Sequence, residues 1–340
     1  MRTACVVLFL AGCSCGPAES SDGGADGGSS AFVAVSAEAH TNCALRDDGV
    51  AVCWGFSFAE PLVVMGVDEV AAGWNQACFR RGESVECVPA PFDVMWSLHD
   101  DVPSGPFAAI DSGLNVTCGL RPSGEVDCWG WDETVTGVEI PPPLREPALD
   151  IHVAEDHACI VTASSRATCW SPIPRGGWLV DLPAGTYREA ASGYGARCAL
   201  SEAGEVICAA ERCWMMCSDH VCAEGEVGGV EVCADDLGVD DTGATIRWME
   251  RVGEGPGGSF VRLATSATGL FLCGLRESGA LECWGEGYEP LRPLAPAGAL
   301  FRDAAAGGAH VCGVTTDGEL LCWGLPIEGD WGQTRAPALP

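Results

Sequence analysis

Short apolar runs separated by polar turns recur along the whole chain. In one clear copy, the runs Cys43-Ala44-Leu45 and Val50-Ala51-Val52-Cys53 flank the polar segment Arg46-Asp47-Asp48-Gly49. Two such runs joined by a short glycine-containing turn predict a β-hairpin. In seven places a cysteine opens the first run and another closes the second, with a spacing of nine or ten residues. The seven pairs are Cys43 with Cys53, Cys78 with Cys87, Cys118 with Cys128, Cys159 with Cys169, Cys198 with Cys208, Cys273 with Cys283, and Cys312 with Cys322.

The spacing inside each pair permits a disulfide across the hairpin. A disulfide needs Cβ atoms about 3.5 to 4.5 Å apart, which directly opposed hairpin residues provide. If Cys43 faces Cys53, then Asp47-Asp48-Gly49 forms a three-residue loop, and such a loop favours glycine in its last position. Four other repeats have glycine at the equivalent place, namely Gly124, Gly204, Gly279 and Gly318.

Two hairpins differ at the turn. The pair of Cys78 and Cys87 is one residue shorter, so its loop is Gly82-Glu83 with glycine first, as a type II′ turn requires. The hairpin between Cys159 and Cys169 has Ala163-Ser164-Ser165 instead and is the weakest match.

The segments between the hairpins predict further strands. Short stretches that end in small residues precede the hairpins at 70–73, 110–113, 190–193 and 304–307, and we interpret them as inner strands around an axis. Proline-bearing stretches at 61–64, 143–144 and 290–294 are predicted as outer strands, because proline suits a sheet edge. The first cysteines mostly recur 35 to 41 residues apart, which is the length of one propeller blade.

The repeat resembles that of the regulator of chromosome condensation family, which reads approximately Gly-x-x-His-x-x-Ala-Leu-x-x-Asp-Gly-x-Val-x-x-Trp-Gly. Residues 40–55 and 307–324 match this pattern best. Val88 and Ala209 depart from it, since they stand where tryptophan is expected, and Ser171 follows Trp170 in place of glycine. The resemblance covers nearly all of residues 31–340 and implies an all-β, seven-bladed β-propeller, and the cysteine spacing predicts a disulfide in each blade.

The two ends of the repeat region predict how the ring closes. The first hairpin begins soon after residue 30, and we expect it to lack a proline-bearing strand of its own. After Trp323-Gly324 the chain runs into residues 336–340, a proline-bearing tail of the missing type. We expect this tail to pair with the first blade, because closing the ring removes an exposed sheet edge.

The first residues predict an exported lipoprotein. An apolar run from Ala4 to Ala11 leads into Leu10-Ala11-Gly12-Cys13, which looks like a bacterial lipoprotein signal in which Cys13 is lipidated. The run is too short to span a bilayer as a helix, and an ordinary buried strand is the alternative. We therefore predict a signal peptide at 1–12, a lipidated, flexible acidic Gly/Ser linker at 13–30 and the propeller at 31–340. The expected location is the bacterial cell envelope, anchored to the membrane and facing the periplasm or the exterior.

Cysteine use agrees with export, because disulfides persist mainly in oxidising compartments. Of 21 cysteines, Cys5 leaves with the signal and Cys13 is lipidated. Fourteen of the others form the hairpin pairs, four lie in one insertion, and Cys15 is left over.

The insertion, at about 209–258, is the one irregular part of the repeat region. Two disulfides among its cysteines are the favoured interpretation, and a soft-metal site of Cys213, Cys217 and Cys222, with His220 or Met216 as a further candidate ligand, is the alternative. Residues 222–233 also imitate a repeat hairpin around Gly228-Gly229, so an eighth, degenerate blade is a further alternative to a decorated loop or small hairpin. The four cysteines are Cys213, Cys217, Cys222 and Cys233.

Charge restricts the possible partners. Eighteen basic residues stand against 48 acidic ones, which gives a net charge of −30 at pH 7. Nucleic acid and anionic lipid surfaces would repel such a chain, so membrane contact is expected through the lipid anchor only. All basic residues are arginine, which excludes lysine Schiff-base chemistry and the phosphate-binding motifs that need lysine. The family's nuclear role, which is nucleotide exchange on a small GTPase while the family protein is bound to chromatin, is therefore not carried over.

Candidate catalytic and metal-binding residues are few. The chain has no His-Glu-x-x-His, Gly-x-Ser-x-Gly or Cys-x-x-Cys motif, and we expect no cofactor and no metal. Three histidines, His40, His157 and His310, fall at or next to the repeat's own histidine position and are predicted to be structural, whereas His99, His152 and His220 have no evident partners. The acidic doublets at 100–101, 235–236 and 240–241 fit no EF-hand and are interpreted as solvated loops.

Tryptophans fall into two groups. Those beside the second cysteines are predicted to pack between blades, and the others could line a recognition surface. The second group is Trp74, Trp96, Trp131, Trp178, Trp214, Trp248 and Trp331.

These observations favour a monomeric binding or recognition module for a protein or a glycan, without catalysis. Propeller faces present adjustable loops on a rigid scaffold, and a secreted bacterial inhibitor of β-lactamase has a related propeller. One alternative is an enzyme of the polysaccharide lyase or hydrolase type, which would show a cluster of Asp, Glu, His or Arg at one mouth of the channel. A passive structural protein of the envelope is the other alternative.

Overall fold

The structure is a computed structural model, and it describes fifteen stretches of the chain. They are residues 30–56, 58–74, 76–89, 102–113, 116–130, 146–154, 157–170, 179–193, 196–210, 224–227, 230–233, 256–266, 271–325, 334–335 and 337. Within them the regular structure is almost entirely β, and it forms seven antiparallel sheets of three or four strands, called blades 1 to 7 below.

The strands of each blade follow one another along the chain. Blade 1 contains β1 (Phe32–Glu38), β2 (Thr41–Arg46), β3 (Val50–Gly55) and β4 (Phe58–Met65). Blade 2 contains β5 (Glu69–Ala72), β6 (Gln76–Arg81) and β7 (Ser84–Pro89), and blade 3 contains β8 (Ala109–Ser112), β9 (Val116–Leu120) and β10 (Val126–Gly130). Blade 4 contains β11 (Ala148–Ala154), β12 (His157–Thr162), β13 (Ala167–Trp170) and β14 (Leu179–Asp181).

The remaining blades follow the same order. Blade 5 contains β15 (Tyr187–Gly193), β16 (Ala196–Ser201) and β17 (Val206–Ala210). Within the predicted insertion, β18 (Glu224–Val227) and β19 (Val230–Cys233) pair as a separate antiparallel two-stranded sheet. Blade 6 contains β20 (Arg262–Thr265), β21 (Leu272–Leu275) and β22 (Leu281–Trp284), and blade 7 contains β23 (Phe301–Ala306), β24 (His310–Thr315) and β25 (Leu320–Gly324).

The predicted hairpins and disulfides are confirmed. Each second strand pairs with the third in the expected register, so that Cys43 faces Cys53 and Leu45 faces Ala51. All seven predicted cysteine pairs are disulfides, with Cα atoms 4.0 to 4.1 Å apart. Such bonds constrain the unfolded chain and fasten each hairpin. They join Cys43 to Cys53, Cys78 to Cys87, Cys118 to Cys128, Cys159 to Cys169, Cys198 to Cys208, Cys273 to Cys283, and Cys312 to Cys322.

The turn residues also behave as predicted. Gly49 has φ +78°, and the equivalent glycines of four other hairpins have φ between +84° and +86°. In the shorter hairpin, Gly82 has φ +59° and occupies the first loop position. Ser165, in the hairpin without glycine, adopts φ +58°, so this turn forms the same loop at the cost of a strained serine.

The inner strands are confirmed, whereas the outer strands are only partly so. The stretch 61–64 lies in β4, which pairs with β3, so the expectation that the first hairpin lacks its own proline-bearing strand is wrong. The stretch 290–294 is not a strand, because it follows a 3₁₀ turn at Glu286–Tyr288 and contains a second one at Arg292–Leu294. The fixed φ of proline suits a 3₁₀ turn as well as an edge strand, and Leu291 is fully buried there. Residues 143–144 lie outside the described part.

The blades are arranged around a common axis. The first strand of each blade contacts the first strand of the next one, and β23 of blade 7 contacts β1 of blade 1. Blades 7 and 1 are joined by backbone hydrogen bonds from Phe32 N–H to Gly318 O, 3.0 Å, and from Gly308 N–H to Ala39 O, 2.8 Å. The predicted pairing of the tail with blade 1 falls almost entirely on residues outside the described ones and stays a prediction.

The core lies between neighbouring blades, where the repeat tryptophans pack as predicted. Trp54 of blade 1 packs against Val314 of blade 7, and Trp129 of blade 3 packs against Ala71 of blade 2. The tryptophans of blades 4, 6 and 7 are buried in the same way. Because full burial of one large apolar side chain contributes about 1.5 to 3 kcal/mol, these boundaries stabilise the whole array.

Candidate functional site

The first strands of all seven blades line one cavity on the axis, here called the channel. Its volume is about 610 Å³, which lies within the usual range for ligand pockets. Backbone and side chains from every blade contribute to its wall. The channel is therefore the place where the repeats converge.

A charged residue recurs at one position of the channel wall. Four blades have an acid nine residues before the first cysteine: Glu69, Asp150, Glu189 and Asp303. Blades 1 and 3 have alanine at this position. In blade 6 the corresponding residue lies eleven positions before the first cysteine and is Arg262, which pairs with Leu275 as Asp303 pairs with Val314.

Each of these carboxylates links its own blade to the next one. Asp303 accepts a hydrogen bond from Val35 N–H, 2.8 Å, and Glu189 accepts one from Leu263 N–H, 2.8 Å. Glu69 accepts a hydrogen bond from Ile110 N–H, 3.3 Å, and Asp150 accepts one from Ala190 N–H, 3.5 Å. In every case the donor lies on the first strand of the following blade.

The two blades with alanine use a residue two positions later. Ser36 accepts a hydrogen bond from Ala72 N–H, 2.9 Å, and Asp111 accepts one from Val153 N–H, 2.6 Å. Six of the seven blade boundaries therefore carry the same link, from a side-chain oxygen to the backbone of the next blade.

Arg262 occupies the remaining boundary. A guanidinium cannot accept a hydrogen bond, so it cannot form this link. Its Nη1 lies 2.9 Å from Asp303 Oδ1 of blade 7, and its side chain is 55% exposed. The Asp303 side chain, in contrast, is only 3% exposed. Arg262 is thus an accessible cation on an acidic wall.

The channel wall perturbs the titration of its side chains. Burial raises the pKa of Asp111 to about 7 and that of Glu189 to about 7. Burial also raises the pKa of Glu69, Asp150 and Asp303, although a nearby arginine or histidine opposes the shift in each case. In a wall of limited hydration, the charged form of each acid is less favourable than in water.

The histidine of the described wall is neutral at physiological pH. Burial lowers the pKa of His152 to about 4, and the neighbouring Asp150 only partly offsets this effect. Its Nε2 lies 3.5 Å from Thr265 Oγ1 of blade 6. His152 therefore contributes a polar group and no positive charge.

Exposed side chains surround the mouth of the channel at the start of the first strands. We call Asp68, Leu149, Arg188 and Val261 the rim, because they line the channel and are exposed. Leu149 is 63% exposed and Val261 is 40% exposed. The pairing register shifts at Leu149 and at Arg188, which marks a β-bulge at each. Bulges redirect side chains beside functional sites.

The other end of the first strands carries the repeat histidines and Trp74. His310 is fully buried, its Nε2 lies 2.6 Å from Asn42 Oδ1, and burial lowers its pKa to about 3. His40 packs edge-on against Trp74 and Phe56. These two histidines are structural as predicted, and Trp74 is half-buried rather than a free recognition residue.

Sequence reasoning found only part of this site. It left His152 without a partner and did not single out the acids of the channel wall, although their constant distance from the first cysteine is visible in the sequence. The structure brings Asp111, Asp150, Glu189 and Arg262 together with His152 in the channel wall, and the enzyme alternative requires these residue types at one mouth of the channel.

Several predicted positions lie outside the described residues. They are Cys13, Cys15, Cys213, Cys217, Cys222, His99, His220, the acidic doublets and six of the seven tryptophans outside the repeat position. The side chains of His157 and Cys233 also lie outside. Among the described residues, no three His, Cys, Asp or Glu side chains are placed to hold a metal, and no helix has the length and hydropathy needed to cross a bilayer.

The chain is similar in sequence to one known repeat family and in fold to several solved structures. The family described as the regulator of chromosome condensation (RCC1) repeat matches residues 301–329, which cover blade 7. No curated protein matches the sequence.

Three solved structures illustrate the likeness in fold. The ectodomain of the receptor kinase CR4 from Physcomitrella patens has a TM-score of 0.58 and 19% identity over 88% of this chain and 76% of its own. Human WBSCR16 has a TM-score of 0.59 and 12% identity over 85% of this chain and 88% of its own. Prp20p from Saccharomyces cerevisiae has a TM-score of 0.57 and 14% identity over 89% of this chain and 84% of its own.

At these identities the neighbours establish the fold, and the matched repeat adds the sequence relation. The seven blades and the tryptophans packed between them agree with that fold. The chain is a seven-bladed β-propeller whose last blade matches the regulator of chromosome condensation repeat.

Proposed function

We propose that this protein is a recognition module that binds a protein partner at the rim of the channel. The observation that carries the proposal is the exposed apolar pair Leu149 and Val261 at the mouth of a cavity in a disulfide-fastened scaffold. Exposed apolar side chains on a rigid frame suit protein recognition. Solved structures of the same fold include a receptor ectodomain and Prp20p, which was studied for its binding to Gsp1p and histones.

A protein partner is a better fit to this mouth than a glycan. Leu149 and Val261 offer apolar surface, and no aromatic side chain lines the described part of the channel. Exposed apolar groups are covered when a protein docks, which contributes roughly 25 cal/mol for each Å² buried.

Site-specific photo-cross-linking tests this function. A photoreactive phenylalanine analogue would replace Leu149, and as a matched control Met65, which is 73% exposed on the outer strand β4. In extracts of the cells that produce the protein, we expect a discrete protein adduct from position 149 and none from position 65. Adducts from position 65 alone, or from neither position, would contradict the proposal.

We further propose that the protein works outside the cytoplasm and is held at a bacterial membrane through Cys13. Seven disulfides support an oxidising compartment, and the motif Leu10-Ala11-Gly12-Cys13 supports lipidation. Mass spectrometry of the unreduced, membrane-extracted protein should find a diacylglyceryl group on Cys13. An unprocessed Met1 would contradict this location.

Catalysis in the channel is the second candidate function. The observation in its favour is the presence of Asp111 and Glu189, both with a pKa near 7, beside Arg262 and His152. A raised carboxyl pKa suits a general acid. Incubation with acidic and neutral polysaccharides, followed by a reducing-end assay, should show turnover that Glu189→Gln abolishes if this function holds.

A further inference from the structure

The channel wall behind the rim has an excess of negative charge. Its lining includes seven carboxylates and two arginines, so the described wall carries a formal charge of −5 when every acid is ionised. The whole chain has the same sign, with a net charge of −30. A cleft with walls of low dielectric concentrates such a field and attracts the opposite charge.

The two arginines of the described wall are already engaged. The Arg188 guanidinium donates a hydrogen bond to Phe260 O, and Arg262 pairs with Asp303. Asp150 lies beside Leu149 on blade 4 and Glu189 lies on blade 5, and the repulsion between the two carboxylates adds to burial in raising the pKa of Glu189. A further cation near these two acids would reduce that repulsion.

The two apolar side chains of the rim, Leu149 and Val261, lie directly beside this acidic wall. Leu149 immediately precedes Asp150 in the chain, and Val261 immediately precedes Arg262. A small inorganic cation or a free polyamine would leave the exposed rim side chains in water. A protein surface could cover them while one of its side chains enters the channel.

From the apolar side chains of Leu149 and Val261 and the negative charge of the wall behind them, we propose that the partner inserts an arginine or lysine side chain into the channel, against Asp150 and Glu189. Apolar residues beside that basic residue in the partner cover Leu149 and Val261. This inference rests on the proposed function, and it adds the chemistry of the partner: a basic residue flanked by apolar ones.

Synthetic peptides test the inference with the full chain. The probes are acetyl-Ala-Leu-Arg-Leu-Ala-amide and the same peptide with citrulline, which has the shape of arginine without its charge. Titration calorimetry should show at least about tenfold tighter binding of the arginine peptide, which corresponds to about 1.4 kcal/mol. Added NaCl should weaken only the binding of the arginine peptide, because salt screens charge.

Matched variants locate the effect. Glu189→Gln keeps an oxygen that can accept the Leu263 N–H, so it removes charge without removing the link between blades. Glu189→Gln should weaken binding of the arginine peptide about fivefold to tenfold. Glu60 is an exposed acid on β4, so Glu60→Gln should leave that binding unchanged. Leu149→Ser should weaken binding of both peptides, and Met65→Ser should not weaken binding of either peptide.

The outcomes separate this inference from the proposed function. If both peptides bind with equal affinity, or if neither peptide binds, the basic-residue inference is overturned. A cross-link from position 149 would still support a protein partner in that case. Spermine that binds as tightly as the arginine peptide, with no effect of Leu149→Ser, would show a free polyamine site and would also overturn the inference.

Discussion

The Asp303 carboxylate of blade 7 accepts a 2.8 Å hydrogen bond from the Val35 N–H of blade 1. These two residues are 268 positions apart in the chain, and they join its last blade to its first. The same kind of link occurs at five other boundaries, formed by a serine in blade 1 and by acids elsewhere. The acids of the channel therefore hold the blades together and also give the channel its charge.

Loss of the Asp303 carboxylate should destabilise the protein. Asp303→Ala leaves the Val35 N–H without its acceptor and Arg262 without its ion partner, and an unsatisfied buried group costs about 1 to 3 kcal/mol. Urea unfolding should show a loss of about 2 kcal/mol or more, and Asp303→Asn should lose less. Asp317→Asn, an exposed turn residue of the same blade, serves as the control. Equal stability of Asp303→Ala and the control would refute the linking role.

The stability that Glu189 contributes should depend on pH. Its pKa is about 7 in the folded protein and about 4.3 in an unfolded chain, so its contribution is fully present below pH 4 and is lost as the pH rises through 7. His152 and His310 act in the opposite direction, because their folded pKa values are lowered. The informative quantity is therefore the difference in free energy of unfolding between Glu189→Gln and the wild type.

That difference should shift in favour of Glu189→Gln between pH 4.5 and pH 8, because the variant carries no charge in the channel wall. Urea unfolding at several pH values measures it. A difference that stays constant over this range would show that the carboxyl of Glu189 titrates normally.

The close contact between Gly313 and Phe301 should make glycine necessary at position 313. A Cβ on Gly313 would lie 2.5 Å from Phe301 Cδ1, and the Phe301 ring packs on Trp323 with centroids 5.7 Å apart. Gly313→Ala should cost about 1 to 3 kcal/mol through overpacking. Gly257→Ala, where a Cβ meets nothing within 4 Å, should have little effect, and thermal unfolding compares the two.

Ser165 should be replaceable with a gain in stability. It has φ +58° in the turn of the hairpin between Cys159 and Cys169, a conformation that costs a non-glycine residue about 1 to 2 kcal/mol. Glycine avoids that strain but is more flexible in the unfolded chain, so Ser165→Gly should raise the free energy of unfolding by about 0.5 to 1 kcal/mol. The reverse change, Gly49→Ser, should lower it. A loss on Ser165→Gly would contradict the strain argument.

The parts of the fold that local chemistry determines were predictable from the sequence. The cysteine spacing and a glycine such as Gly49 define each hairpin, because disulfide and turn geometry involve only neighbouring strands. Residues 290–294 were wrongly predicted as a strand, since proline fits both an edge strand and a 3₁₀ turn, and only the packing of Leu291 decides between them.

The channel site was less predictable, because it forms between residues far apart in the chain. The acids at 69, 150, 189 and 303 share a constant offset from the first cysteine, but blade 6 shifts its residue by two positions and replaces acid with Arg262. No local pattern shows that Glu189 accepts a hydrogen bond from Leu263, 74 positions later. The role of these acids between blades, and the bulge that exposes Leu149, emerge only in the folded array.

Backbone hydrogen exchange tests most directly whether the rim is the recognition site. The full chain would be compared alone and bound to the partner identified by cross-linking. We predict slower exchange at amides near Leu149, Arg188 and Val261, and unchanged exchange in β4 and around Trp74 at the other end of the first strands. Protection around Trp74 or β4, with the rim unchanged, would contradict recognition at the channel mouth.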